Sequence, residues 1–187
     1  MDLIPLNVVS SYSFLSSAIK LDKFFAELKN RQIKACAISD INNLMGYPEF
    51  DSLSKNNEVS SLFGMKTYLE DNEINLYVLN EKGYENLIKI SYFISKNRCK
   101  TSTNGNFSLT DELSFDGLLG IISSESPLFD EDDEHQLARD LFTLEKLFKD
   151  NFYIGIECYQ ENDLRVKKIS RTYLKPGLVE GFTVEKH

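Results

Sequence analysis

Asp40 ends the run Ala35-Cys36-Ala37-Ile38-Ser39-Asp40, and Ile41-Asn42-Asn43-Leu44-Met45-Gly46-Tyr47-Pro48 follows it. Such a run reads as a buried strand, and the Asn, Gly and Pro behind it as a loop and the first turn of a helix. A carboxylate at that junction stands where β/α proteins keep their active sites. Few other residues could share chemistry with it. The only histidines are His135 and His187, and position 139 is Arg, so His135 has no i+4 partner for a helical metal pair. Ser10, Ser11 and Ser13 surround Tyr12, but no G-x-S-x-G elbow is present, which argues against a hydrolase triad. The acids of Asp130–Glu134 lack the alternating ligands and turn glycine of a calcium loop and instead complement a helix N-terminus. Cys36, Cys99 and Cys158 are widely separated and odd in number, which fits reduced thiols.

The elements that must position Asp40 alternate. A first strand is expected near Leu3–Val9. Leu21, Phe24, Phe25 and Leu28 then have the spacing of an amphipathic helix. Ala35–Ile38 reads as a strand, Pro48–Ser54 as a short helix, and Leu62–Leu69 and Ile74–Leu79 as strands. A helix at Tyr84–Lys96 leads to a polar loop at Asn97–Asn106, where Lys96, Arg98 and Lys100 read as a solvated basic group. Beyond it come a strand at Leu118–Ile122, a helix at Glu134–Phe148, a strand at Phe152–Glu157, a helix at Asn162–Tyr173 and a strand at Leu178–Val184. The fold class is α/β, and the alternation favours a parallel sheet, open or closed into a barrel.

With 187 residues, 42% of them hydrophobic, one domain over 1–187 is the default. The formal charge of −8 and the lack of a Lys/Arg cluster argue against direct DNA binding. No apolar run reaches membrane-spanning length, and Met1-Asp2-Leu3-Ile4-Pro5 lacks the basic flank of a secretory signal, so a cytoplasmic location is expected and no membrane contact.

Several stretches, in order, resemble the polymerase-and-histidinol-phosphatase (PHP) domains found at the N-terminus of bacterial DNA polymerase III alpha subunits. Ala35–Phe50 is similar to the family's A-L-A-(L/I)-T-D-H-G-N-L-Y-G-x-x-x-F, Ser10–Leu15 to S-x-Y-S-L-L, and Phe63–Tyr68 to I-G-x-E-x-Y. Asn80-Glu81-Lys82-Gly83-Tyr84-Glu85-Asn86-Leu87-Ile88-Lys89 resembles N-x-x-G-Y-x-N-L-x-K almost residue for residue. Gly117–Ser124 is similar to G-L-I-x-L-S-G-C, Phe152–Glu157 to F-Y-x-E-x-Q, and the segment ending Glu185-Lys186-His187 to a strand ending in D-x-H. The resemblance implies a PHP-type distorted (β/α)7 barrel and leaves open whether it closes within these residues. It also implies an N-terminal fragment of a larger DNA-directed DNA polymerase, a nucleotidyltransferase of DNA replication. The remainder of that subunit, and a proofreading subunit or other replisome proteins, are the expected partners.

An intact site of this family holds two or three divalent metals through His, Asp and Glu, and a bridging hydroxide attacks a phosphate ester. Here the resemblance places Asn7 and Val9 at the H-x-H of the first motif, Ile41 at the histidine after Asp40, Lys66 at the glutamate of the third motif, and Ser124 at a cysteine. Asp40, Glu185 and His187 remain. The expectation is no catalytic residue, no metal residue and no cofactor, with Lys66 paired to Asp40 or Glu185 across a vestigial site. The alternatives are a residual zinc- or manganese-dependent phosphoesterase or 3′–5′ exonuclease, and a stand-alone α/β binding protein.

Overall fold

The computed structural model describes residues 4–69, 72–97, 113–124, 126–130 and 134–156. One sheet runs through them in the order β1 (Ala35–Ile41), β2 (Ser60–Leu69), β3 (Asn72–Val78), β4 (Leu118–Ser123) and β5 (Phe152–Gly155). The helices are α1 (Leu21–Asn30), α2 (Tyr47–Asn56), α3 (Glu81–Asn97) and α4 (Glu134–Phe148). The helix and strand expected at Asn162–Tyr173 and Leu178–Val184, and all of the Asn97–Asn106 loop after Asn97, lie outside the described residues.

The sheet is mixed rather than parallel. β1 pairs parallel with β2 and β4 with β5, whereas β2–β3 and β3–β4 are antiparallel. Only residues 70 and 71 separate β2 from β3, far short of the dozen or so that a parallel crossover needs, so the two strands form a hairpin.

The first expected strand is also corrected. Pro5–Val8 lies along the free edge of β1, with the Ala37 and Ser39 amides donating to the Pro5 and Val8 carbonyls at 2.9 and 2.8 Å. Three residues on this segment thus span two on β1, and the Val8 amide turns back to the Leu6 carbonyl at 3.1 Å. A tight local turn and an extra residue break the ladder, and Pro5 has no amide to offer it.

Strand alternation gives the sheet two faces. Cys36, Ile38, Met65, Leu76 and Ile122 share the face that packs beneath the helices with Phe25, Phe50, Leu87, Ile90 and Phe148. Gly120 permits this at β4, because a Cβ there would lie 2.8 Å from the Phe148 ring. The other face carries Ser39, Ile41, Gly64, Lys66, Tyr68, Glu73, Asn75 and Tyr77. It is the polar face.

Burial pushes the Cys36 thiol up to about 12. The fold therefore favours the neutral thiol. The contribution is complete below the ordinary thiol value of ~8.5 and is lost as pH rises from there toward about 12. At about pH 8, alkylation of Cys36 in the folded chain should be far slower than in urea. Site-resolved mass spectrometry should show this; equal labelling in both states would contradict the burial.

Candidate functional site

Asp40 is fully buried at the end of β1, where three donors converge on its carboxylate. The Ser10 amide donates to Oδ1 at 2.7 Å, the Ser10 hydroxyl to Oδ2 at 2.8 Å, and the Ser13 hydroxyl to Oδ1 at 2.7 Å. The serines are held in turn: the Tyr12 amide donates to Ser10 Oγ at 3.2 Å, and the Ile41 amide to Ser13 Oγ at 2.9 Å. The head of α2 closes over the cluster, since a Cβ on Gly46 would meet Asp40 Oδ2 at 2.8 Å. Tyr12 fastens the loop from outside by donating to Glu49 at 2.7 Å, and this bond to the carboxylate raises its phenol above the ordinary range. The serines dismissed as nucleophiles thus have a structural task, and S-x-Y-S is its sequence signal.

Asp40 and Lys66 cannot pair as expected. In the β1–β2 register Asp40 lies opposite Met65 and Ile41 opposite Lys66, so the carboxylate and the ammonium leave opposite faces of the sheet. Lys66 Nζ instead meets Glu73 Oε1 at 2.8 Å, diagonally across the β2–β3 hairpin. The Lys66 side chain is 12% exposed and that of Glu73 32%. Tyr68 is directly opposite Glu73, and its phenol is raised first by burial and then by the nearby Glu73 carboxylate. Glu73 was not anticipated as a site residue; only the hairpin register brings it to Lys66.

A double-mutant cycle on Lys66→Met and Glu73→Gln should return a coupling of about 1 kcal/mol, between the exposed and buried regimes. The cycle on Lys66→Met and Asp40→Asn should return none beyond about 0.5 kcal/mol. Denaturant midpoints of the six chains decide the matter, and the reverse order would restore the pairing expected from sequence.

The remaining positions divide. Ile41 and Lys66 share the polar face with Ser39, whose hydroxyl reaches Asn7 Oδ1 at 3.4 Å. Asn7 is therefore brought to that face. Val9, half-buried, is on the same edge segment. Asn75, directly opposite Lys66, is buried, and its Oδ1 has no hydrogen-bond partner among the described residues. Ser124 is buried just past β4, its amide bonded to the Gly155 carbonyl at 2.8 Å. Glu185 and His187 lie outside the described residues, and His135 is exposed on α4. Among the described residues no three His, Cys, Asp or Glu side chains gather as a metal site would require.

The motif at Asn80–Lys89 has a physical basis. Asn80 Oδ1 accepts from the Gly83 amide at 3.0 Å at the head of α3, as an N-cap does. Gly83 lies against Gly117 with no room for a side chain. Asn86 Nδ2 donates to the Asp116 carbonyl at 2.9 Å, and Leu87 is fully buried. Together they fix the turn before β4 onto the helix.

The PHP domain model matches residues 5–159. The DNA polymerase III subunit alpha of Chlamydia trachomatis is 26% identical over 201 residues, covering 94% of this chain and 16% of the relative. That of Ureaplasma parvum is 32% identical over 132 residues, covering 67% of this chain and 13% of the relative. The chain thus spans about one sixth of the length of the first relative. Among solved structures, an amidohydrolase from Chromobacterium violaceum with bound sulfate aligns over 52% of this chain and 34% of its own. The identity is 16% and the TM-score 0.43, too partial a likeness to carry an argument. Among the described residues no helix is long and apolar enough to cross a membrane. With the family model matched across every described element, this chain belongs to the PHP domain family and is homologous to part of the DNA polymerase III alpha subunit.

Proposed function

We propose that this chain is a non-catalytic PHP module of a replicative DNA polymerase alpha subunit, architectural in role and without a working metal centre. The observation that carries the reading is Lys66. Its ammonium is on the polar face beside Ile41, paired to Glu73, at the position where the family motif has a glutamate. A divalent centre needs anionic or imidazole donors; here Val9 and Ile41 supply hydrocarbon, Asn7 a weak amide, and Lys66 a like charge. Asp40, the acid retained in the second motif, is turned to the opposite face and occupied by two serines. The described residues do not fit the metal cluster.

In this reading nucleotidyl transfer belongs to the rest of the polymerase, in the cytoplasm of a bacterium. The module contacts that remainder and replisome subunits such as a proofreading one. The net charge of −8 supports a role in protein contacts over a grip on DNA.

The test is elemental mass spectrometry of the purified chain, with titration by Zn²⁺ and Mn²⁺ at neutral pH. The expected result is no stoichiometric ion and no micromolar binding. Tight binding of two or more ions would overturn the reading in favour of a phosphoesterase or 3′–5′ exonuclease using Asp40, Glu185 and His187.

A further inference from the structure

One row of side chains crosses the polar face from strand to strand: Ile41 on β1, Lys66 on β2, Asn75 on β3 and Ile121 on β4. Its two central members are a primary amine and a carboxamide in direct cross-strand register. Cβ atoms so placed lie roughly 4.5–5.5 Å apart, within the reach of a lysine stem. Glu73, two residues before Asn75 on the same face, accepts from Lys66 Nζ at 2.8 Å. Tyr68 and Tyr77 are the next residues of that face beyond Lys66 and Asn75.

Water is largely shut out of the group: the Lys66 side chain is 12% exposed and Asn75 7%. Asn75 Oδ1 is buried with no hydrogen-bond partner among the described residues, whereas buried amide oxygens are as a rule paired. The carboxamide is therefore held beside the amine without a hydrogen-bonding task of its own. An amine, a carboxamide and a carboxylate fixed together between isoleucines and tyrosines are the two reactants and the proton carrier for an amide between side chains.

We propose that Lys66 and Asn75 join in an isopeptide bond that staples β2 to β3, with Glu73 as the proton carrier. Glu73 takes a proton from the Lys66 ammonium across the 2.8 Å contact, which leaves a neutral amine as the nucleophile. The Nζ lone pair forms a bond to Asn75 Cγ, and the Cγ–Nδ2 bond breaks. The departing nitrogen takes one proton from the former amine and one from Glu73 and leaves as ammonium. Glu73 ends as the carboxylate it began as, and the step balances without an oxidant, a reductant or a co-reactant. A carboxamide is a poor electrophile in free solution; holding the amine against it supplies the advantage of an intramolecular reaction. The ion pair is the state before reaction, and the double-mutant cycle on Lys66 and Glu73 is read on unreacted chain. The inference rests on the hairpin geometry and not on the loss of the metal centre.

Intact-protein mass spectrometry of the 187-residue chain, folded by circular dichroism and incubated at neutral pH, tests the bond. The expected result is the loss of one ammonia from the sequence mass. Cleavage after Glu70 opens the stapled loop, and tandem spectra should then show a branched peptide joining Lys66 to Asn75. Lys66→Met, Asn75→Ala and the parent held in urea should keep their sequence masses, and Glu73→Gln should react about a hundredfold more slowly. A folded parent that keeps its sequence mass would overturn the proposal and leave the metal-free reading of the module standing. So would an ammonia loss that persists in Lys66→Met, which marks succinimide formation at an asparagine followed by glycine, as at Asn104. Reaction of Glu73→Gln at the parent's rate would overturn the role given to Glu73.

Discussion

Replacing Asp40 with alanine should cost about 3–5 kcal/mol, a large fraction of the 5–15 kcal/mol typical of a domain. The substitution leaves the Ser10 amide and the Ser10 and Ser13 hydroxyls buried without their acceptor. Each orphaned polar group costs roughly 1–3 kcal/mol, and the three are coupled and do not add fully. Asp40→Asn should lose less, about 1–2 kcal/mol, because one oxygen survives and the hydroxyls can rotate to accept from the new amide. Guanidinium denaturation should show a lower midpoint with an unchanged slope. Hydrogen exchange should rise first at Tyr12–Ser17, the loop that the carboxylate secures and that holds Leu15 in the left-handed region at φ 63°. Added Zn²⁺ or Mn²⁺ should alter neither the parent nor the loss. A parent strongly stabilised by metal, with that stabilisation absent in Asp40→Ala, would restore the carboxylate as a ligand.

This result separates what the sequence reveals about Asp40 from what it does not. Its place at a buried strand's end is local information, written in Ala35–Ile38 and the Gly-Tyr-Pro behind it, and the structure agrees. The same holds for α4, whose expected and observed bounds, Glu134–Phe148, coincide because one apolar stripe runs its whole length. The direction of β3 is legible too, because the few residues between Leu62–Leu69 and Ile74–Leu79 are too short for a parallel crossover. Register is not legible: the face Asp40 uses becomes meaningful only against the register of β2. A one-residue shift of that register would have turned Lys66 onto the Asp40 face. Lys66 looked like a partner for Asp40 because both fall on motifs of one site. The hairpin supplied Glu73 instead, a residue no motif marks.

The motif at Asn80–Lys89 leads to the second large effect, where two physical rules give opposite signs. Gly83 lies in the first turn of α3, and by helix propensity alone Gly83→Ala should stabilise by up to about 1 kcal/mol. The packing forbids it. A Cβ at position 83 would fall on the carbonyl of Gly117, which is backbone and cannot rotate away. Gly117 has a φ of +77°, and its carbonyl also accepts from the Leu79 amide at 2.9 Å. To admit the methyl, α3 must lift from the turn before β4, weakening the Asn80 cap at Gly83 and the Asn86 bond to Asp116. Overpacking against rigid backbone costs about 1–3 kcal/mol, and disturbed caps about 1 kcal/mol more, so the net loss should be about 2–4 kcal/mol. Equilibrium denaturation reads it directly. A stabilised Gly83→Ala would mean that α3 and β4 are not in contact as described, and the physical basis given for the N-x-x-G-Y-x-N-L spacing would fall with it.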